Sequence, residues 1–174
     1  MFKVDLEKDT LPFVNNYFDL VTAIEVIEHL RTVDNLFAEV FRVLKPSGLF
    51  VLSTPNLGSW INRILLLLGY QPLYTEPSRK YQVGIPLKDF KEKRGYAGHV
   101  NLTTLKALRA LLKAYNFIIV EESGVHLDTG YRILDVVDKF LAKISSLAQD
   151  VVILAKETSS EIVWRENICL YLKI

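Results

Sequence analysis

Glu25, Glu28 and His29 fall in the stretch EVIEH, at positions i, i+3 and i+4. If that turn is helical, the three side chains share one face. Two carboxylates beside an imidazole offer two kinds of chemistry. Their oxygens and ring nitrogen are competent ligands for a divalent cation. The imidazole, titrating near neutral pH, is a competent general base for a hydroxyl. A second imidazole, His99 in YAGHVNLTT, comes just before a helical segment and is placed to join them. The simpler account of this face is a pocket wall or a helix cap. The catalytic candidates are therefore His29, Glu25 and Glu28, and no metal is assigned to the set Glu25, Glu28, His29 and His99. His126, in SGVHLD, has no such company and reads as a loop residue.

These residues need elements to hold them. FDLVTAI, 18–24, is β-rich and apolar without clean alternation, as expected of a strand covered on both faces. Leu36, Phe37, Val40, Phe41 and Leu44 then recur at helical spacing, and Pro46 with Gly48 stops that helix. LFVLST, 49–54, is a second buried strand, completing a βαβ unit. A helix follows over 58–68, with Trp60, Ile61, Ile64, Leu65 and Leu68 on one stripe. A long irregular excursion then runs to about residue 100, carrying six basic against two acidic residues between Arg79 and Arg94. Loops of that length are commonly functional, so 58–101 is read as a lid over an acceptor site. Residues 103–116 are a helix with a threonine cap, 117–122 a strand, and 131–146 a helix with Ile133, Leu134, Val137, Leu141 and Ile144 inward. DVVILAK, 150–156, is a last buried strand; 161–174 is apolar enough to pack. The fold class is α/β, a sheet with helices on both faces, and ligands in such sheets bind beyond the carboxyl ends of the strands. The loops after Val4, Ile24 and Thr54 are thus the ones to read.

The bulk numbers narrow the classes. A chain of 174 residues suits one domain. A net charge of +1 gives no case for a nucleic-acid partner. The longest apolar run, ILLLLGY at 64–70, falls far short of the roughly 20 residues that span a bilayer. A lone cysteine, Cys169, and an amino-terminal stretch broken by charges lead to the expectation of a reducing, cytoplasmic setting.

DLEKDTLPFVNNYFDLVTAIEVIEHL followed by EVFRVLKPSGLFVLSTPN resembles the second half of class I S-adenosylmethionine-dependent methyltransferases. The likeness is dense over 4–56 and continues through GHVNLTTLKALRALLKAYNFIIVEE to DVVILAK. It implies a Rossmann-like sheet of order 3-2-1-4-5-7-6 with the last strand antiparallel, of which this chain supplies strands 4, 5, 6 and 7. It also implies roles. Asp5 would accept from the adenine amino group with the backbone of Leu6 beside the ring, and Ile24 and Glu25 would line the S-adenosylmethionine pocket. The glycine-rich loop after strand 1 and the acidic end of strand 2 have no counterpart here, so residues 1–174 are expected to form a single incomplete domain. Strand 18–24 would then be an exposed edge inviting self-association, giving a homo-oligomer. The expected function is methyl transfer from S-adenosylmethionine to a small-molecule or glycan/lipid-type acceptor, completed by more than this chain. The alternative is a non-catalytic remnant serving as a binding or assembly module. Whether the chain alone is an enzyme is left open.

Overall fold

A computed structural model describes residues 2–78, 80, 81, 83, 84, 97–128, 131–158 and 169–172. Five strands are named here β1 (Phe18–Ile24), β2 (Leu44–Pro55), β3 (Phe117–Val125), β4 (Asp150–Glu157) and β5 (Cys169–Leu172). Four helices are α1 (Asp34–Val43), α2 (Trp60–Leu67), α3 (Leu105–Ala114) and α4 (Arg132–Leu141). The strands form one mixed sheet in the order β3-β4-β2-β1-β5. β1 runs parallel to β2, while β4 is antiparallel to both β2 and β3. That is the 4-5-7-6 order and sense expected from the sequence.

One face of the sheet carries the core. Val21, Ala23, Phe50, Leu52, Ile153 and Ala155 line up across β1, β2 and β4 and are fully buried. They meet Leu36, Phe37, Val40 and Val43 of α1 and Leu105, Leu108 and Leu112 of α3. The two helices are joined where Tyr115 Oη donates to Asp34 Oδ1 at 2.6 Å. Thr104 caps α3, its side chain accepting from the Ala107 N–H. Within the first half of β2 position 48 requires glycine, because a Cβ there would stand 2.8 Å from the Lys45 carbonyl oxygen. The opposite face is thinly covered: Leu49, Ile118 and Val120 are 36%, 62% and 57% exposed. The covering on both faces expected from the sequence is therefore incomplete among the described residues.

Three other expectations are corrected. Strand 18–24 is not an edge, because β5 pairs with it in parallel, Leu20 opposite Cys169 through Ala23 opposite Leu172. The carboxyl-terminal segment thus takes the place beside strand 4 that strand 1 holds in the implied family order. The stripe assigned to 131–146 faces inward only in part: Leu134 and Leu141 are half-buried, but Ile133, Val137 and Ile144 are exposed. The helix is turned instead by buried Asp138, which accepts from Trp60 Nε1 at 2.6 Å, the Leu127 N–H at 2.5 Å and Gln149 Nε2 at 3.4 Å. A buried carboxylate has to be bonded, and this requirement outweighs the apolar periodicity. In α2 only Ile61 and Leu65 of the expected stripe are buried, against Leu73 and Leu127, with Trp60 packed beside them; Ile64 and Leu68 are exposed. The basic stretch at 79–94 lies almost wholly outside the described residues. Among the described residues no helix is long and apolar enough to cross a membrane.

Candidate functional site

At its carboxyl end β1 runs into a sharp change of direction. Glu25 has φ of +53°, which a glutamate adopts only under constraint. Ser53, at the neighbouring end of β2, supplies that constraint. Its carbonyl and hydroxyl oxygens both accept from the Glu25 N–H at 3.2 Å, and its hydroxyl donates to Glu25 Oε1 at 2.5 Å. The chain then closes one 3-10 turn, Ile27–His29. This aims Glu28 inward and His29 along the surface of the turn.

Glu28 is fully buried. One carboxylate oxygen, Oε2, accepts from Thr54 Oγ1 at 3.1 Å. The other, Oε1, has no hydrogen-bond partner and lies 3.8 Å from His29 Nε2. Burial pushes the Glu28 carboxyl up to about 7, and the nearby Glu25 charge works in the same direction. The Glu28 carbonyl anchors the strap at 97–101, accepting from the Val100 N–H at 2.8 Å and the Asn101 N–H at 3.1 Å. Glu76 holds the same strap from the other side, accepting from the Ala97 and Gly98 N–H groups at 2.7 and 2.8 Å.

That strap delivers His99. Its ring centroid lies 5.0 Å from that of His29. His29 Nδ1 is 3.3 Å from the Gly98 carbonyl oxygen, and His99 Nδ1 is 3.3 Å from the Tyr74 carbonyl oxygen. A carbonyl oxygen only accepts, so each contact is a hydrogen bond when the ring carries a proton on Nδ1, and in the neutral ring of that tautomer Nε2 is the acceptor. Burial holds His99 below the ordinary imidazole value, which keeps it neutral. Glu28, His29 and His99 each offer one ligand atom, and the three atoms lie within 4.8 Å of one another. His99 also lines a cleft of about 530 Å³ together with Gln71, Thr75, Glu76 and Pro77.

The expected cofactor residues are more dispersed. Asp5 lies in an exposed turn, where its carboxylate accepts from the Glu7 N–H at 3.0 Å and pairs with Lys8 Nζ at 3.0 Å; Lys8 holds its carboxyl below the usual value. Leu6 packs against the main core. The turn is tied to the region just after the 3-10 turn: Glu7 Oε1 accepts from the Arg31 N–H, and the Leu6 carbonyl accepts from Asn35 Nδ2 at 3.1 Å. Ile24 is half-buried and Glu25 exposed. His126 is exposed in a loop, as read from the sequence.

Asn56, which directly follows β2, is buried and fully engaged. Its Nδ2 donates to the carbonyls of Ser146 and Ala148 at 3.3 and 3.0 Å, and its Oδ1 accepts from the Gly58 and Leu105 N–H groups at 2.9 and 3.3 Å. It is a staple between β2, α3 and the segment before β4. Sequence reading missed Thr54 and Ser53 as partners of Glu28 and Glu25. Both lie two or three residues before Asn56 at the same strand end, and their hydroxyls were the available signal.

A family profile described as a methyltransferase domain matches residues 3–122. The chain is 48% identical over 40 residues to the sterol 24-C-methyltransferase erg6 of Schizosaccharomyces pombe, a stretch covering 23% of this chain and 11% of that protein. A solved S-adenosylmethionine-dependent methyltransferase from Mesorhizobium loti superposes with a TM-score of 0.51 at 19% identity, covering 88% of this chain and 67% of that one. Another from Thermotoga maritima gives a TM-score of 0.52 at 14% identity, covering 86% of this chain and 60% of that one. The chain thus spans about a tenth of the curated relative and roughly 60–67% of these structures. By profile and by strand order, the chain belongs to the methyltransferase-domain family and carries part of the class I S-adenosylmethionine-dependent methyltransferase sheet.

Proposed function

We propose that this chain supplies the acceptor side of a methyl-transfer site acting on a small-molecule or glycan/lipid-type hydroxyl. The observation that carries this reading is the convergence of Glu28, His29 and His99 at the carboxyl ends of β1 and β2, beside the cleft that His99 lines. S-adenosylmethionine, when bound, supplies a methyl group on a sulfonium sulfur, which leaves with the bonding electron pair. Asp5 and Leu6 would hold its adenine, with Ile24 and Glu25 lining the same pocket. The tie from the Asp5 turn to Arg31 and Asn35 supports placing both groups at one end of the sheet. His29 Nε2, with its lone pair free, would take the proton of the attacking hydroxyl as the oxygen–methyl bond forms. The Gly98 carbonyl fixes the tautomer that this requires. Glu76 and the Glu28 carbonyl hold the strap that carries His99, so this strap would form one wall of the site. Calorimetry with S-adenosylhomocysteine tests the reading. Micromolar binding that Asp5→Ala weakens supports it, whereas no heat at millimolar ligand favours a non-catalytic module.

A second reading is favoured by one specific observation. Glu28 Oε1 is buried without a partner, and His29 and His99 each bring one ring nitrogen within 4.8 Å of the Glu28 carboxylate. Each imidazole is oriented by a backbone carbonyl on its other nitrogen, as metal-bound histidines usually are. Glu28, His29 and His99 would then hold a divalent cation, which would activate an acceptor hydroxyl in place of a histidine base. A nitrogen–nitrogen–oxygen donor set suits zinc or manganese. Titration with either metal alone separates the two readings. Saturable binding lost in His99→Ala supports the cation, and no binding leaves the base.

A further inference from the structure

Helix α4 keeps its one buried charge inside and turns an apolar face out. Ile133, Val136 and Phe140 are 80%, 64% and 68% exposed, with Val137 beside them and Ile144 in the turn that follows. At 3.6 residues per turn these five fall within an arc of about 100°. Arg132, Lys139 and Lys143 group along one margin of that arc, all exposed, with Lys143 Nζ 5.8 Å from the Phe140 ring centre. The acidic residues of this stretch stay back: Asp138 is buried, and Asp135 is half-buried with a partner of its own. Helix α2 adjoins α4 through the Trp60–Asp138 bond and through Arg63, whose guanidinium donates to the Ser146 carbonyl at 3.0 Å. Its outer residues continue the apolar surface, with Ile64, Leu67 and Leu68 at 47%, 85% and 63% exposed. No acidic residue occurs between Leu57 and Tyr70.

We propose that the outer face of α4, with the last turn of α2, is a docking surface for an anionic lipid bilayer. An apolar stripe edged by lysine and arginine is the pattern that lies in a membrane interface, with acyl chains taking the stripe and headgroups the cations. A second copy is a poorer occupant, because an antiparallel two-fold contact would set the same basic margin against itself. Nor is the stripe a surface left bare by the incomplete sheet. The neighbourhood of α4 lies against β3, where Gly124 has no room for a Cβ, which would stand 2.2 Å from the Ala142 carbonyl oxygen. β3 is the outermost strand on its side. Strands 1–3 of the family order would join beyond β1, about 14 Å away across the sheet.

The surface is coupled to the cleft. Ile61 and Leu65 on the inner side of α2 share a cluster with Leu127 and Leu73, and Leu73 leads directly into the Thr75–Pro77 wall. Docking would bring the cleft close to the headgroups, so the acceptor would be an amphiphile presented from the bilayer. That last step rests on the methyl-transfer reading, whereas docking does not.

Flotation of the full chain with vesicles tests docking directly, comparing phosphatidylcholine containing phosphatidylglycerol with phosphatidylcholine alone. The chain is expected to float with the anionic vesicles and to lose binding as salt is raised. Ile133→Ser and Phe140→Ser should each weaken partitioning about tenfold. The double variant Lys139→Glu, Lys143→Glu should abolish the preference for the anionic lipid. All four side chains are exposed, so circular dichroism and the thermal midpoint should be unchanged, and Leu67→Ser provides an independent check on α2. Absence of flotation, flotation unaffected by these substitutions, or light scattering showing that Phe140→Ser merely dissolves a dimer would overturn the proposal. Calorimetry with S-adenosylhomocysteine on the same samples keeps the two readings apart, because either binding can fail while the other persists.

Discussion

Glu28 shows how a single side chain sets a pH dependence. Its carboxyl is raised from the usual 4.5 to about 7, chiefly by burial. Below 4.5 it is protonated whether the chain is folded or not. Between 4.5 and about 7 the unfolded chain releases this proton and the folded one keeps it, so stability falls as pH rises. Above about 7 the whole cost is present, as much as about 3 kcal/mol. Glu28→Gln should therefore exceed the parent in stability at pH 8 by up to that amount, and the gap should close by pH 4. Urea denaturation at several pH values measures it; a gap independent of pH would contradict the assignment. His99 works the other way. Its depressed value means that the unfolded imidazole protonates first, so its contribution is lost on acidification below 6.5. Asn56→Ala removes four bonds to backbone groups at a buried position and should cost about 3 kcal/mol, read from the same experiment.

Among the elements, the β3–α4 contact and β5 are the decisive ones. A Cβ at position 124 would stand 2.5 Å from the Ala148 Cβ as well as against the Ala142 carbonyl. Both neighbours belong to tightly packed chain, so Gly124→Ala should destabilise by about 2 kcal/mol or more, with a lower urea midpoint and an unchanged slope. β5 hides the backbone of Leu20 to Ala23. Removing residues 169–174 would restore the bare edge that the sequence leads one to expect. Light scattering should then show association that rises with concentration, and a truncated chain that stays monomeric would remove the protective role given to β5.

For the whole molecule, much was legible before any coordinates. Alternating apolar strands and helices, with Pro46–Gly48 and Thr104 as punctuation, carried the succession of elements, while the strand order and its antiparallel member came from the family resemblance. EVIEH singled out the candidate cluster, because it places two carboxylates and an imidazole just after a strand end. What the sequence could not reveal depended on which groups meet across long stretches of chain. The 97–101 strap brings His99 to His29 only because Glu76 and the Glu28 carbonyl hold it there. The role of Asn56 was hidden for the same reason, since three of its four partners, Leu105, Ser146 and Ala148, lie far away in sequence. The outward stripe of α4 was read as inward because periodicity locates an apolar face but not the direction it points. The sequence by itself determined which segments pair and which residues can carry chemistry; only the tertiary structure decided that β5 covers β1 and that Asp138 turns α4 around. Local propensity acts between near neighbours, whereas a buried carboxylate or an open sheet edge is satisfied by whatever the rest of the chain brings to it.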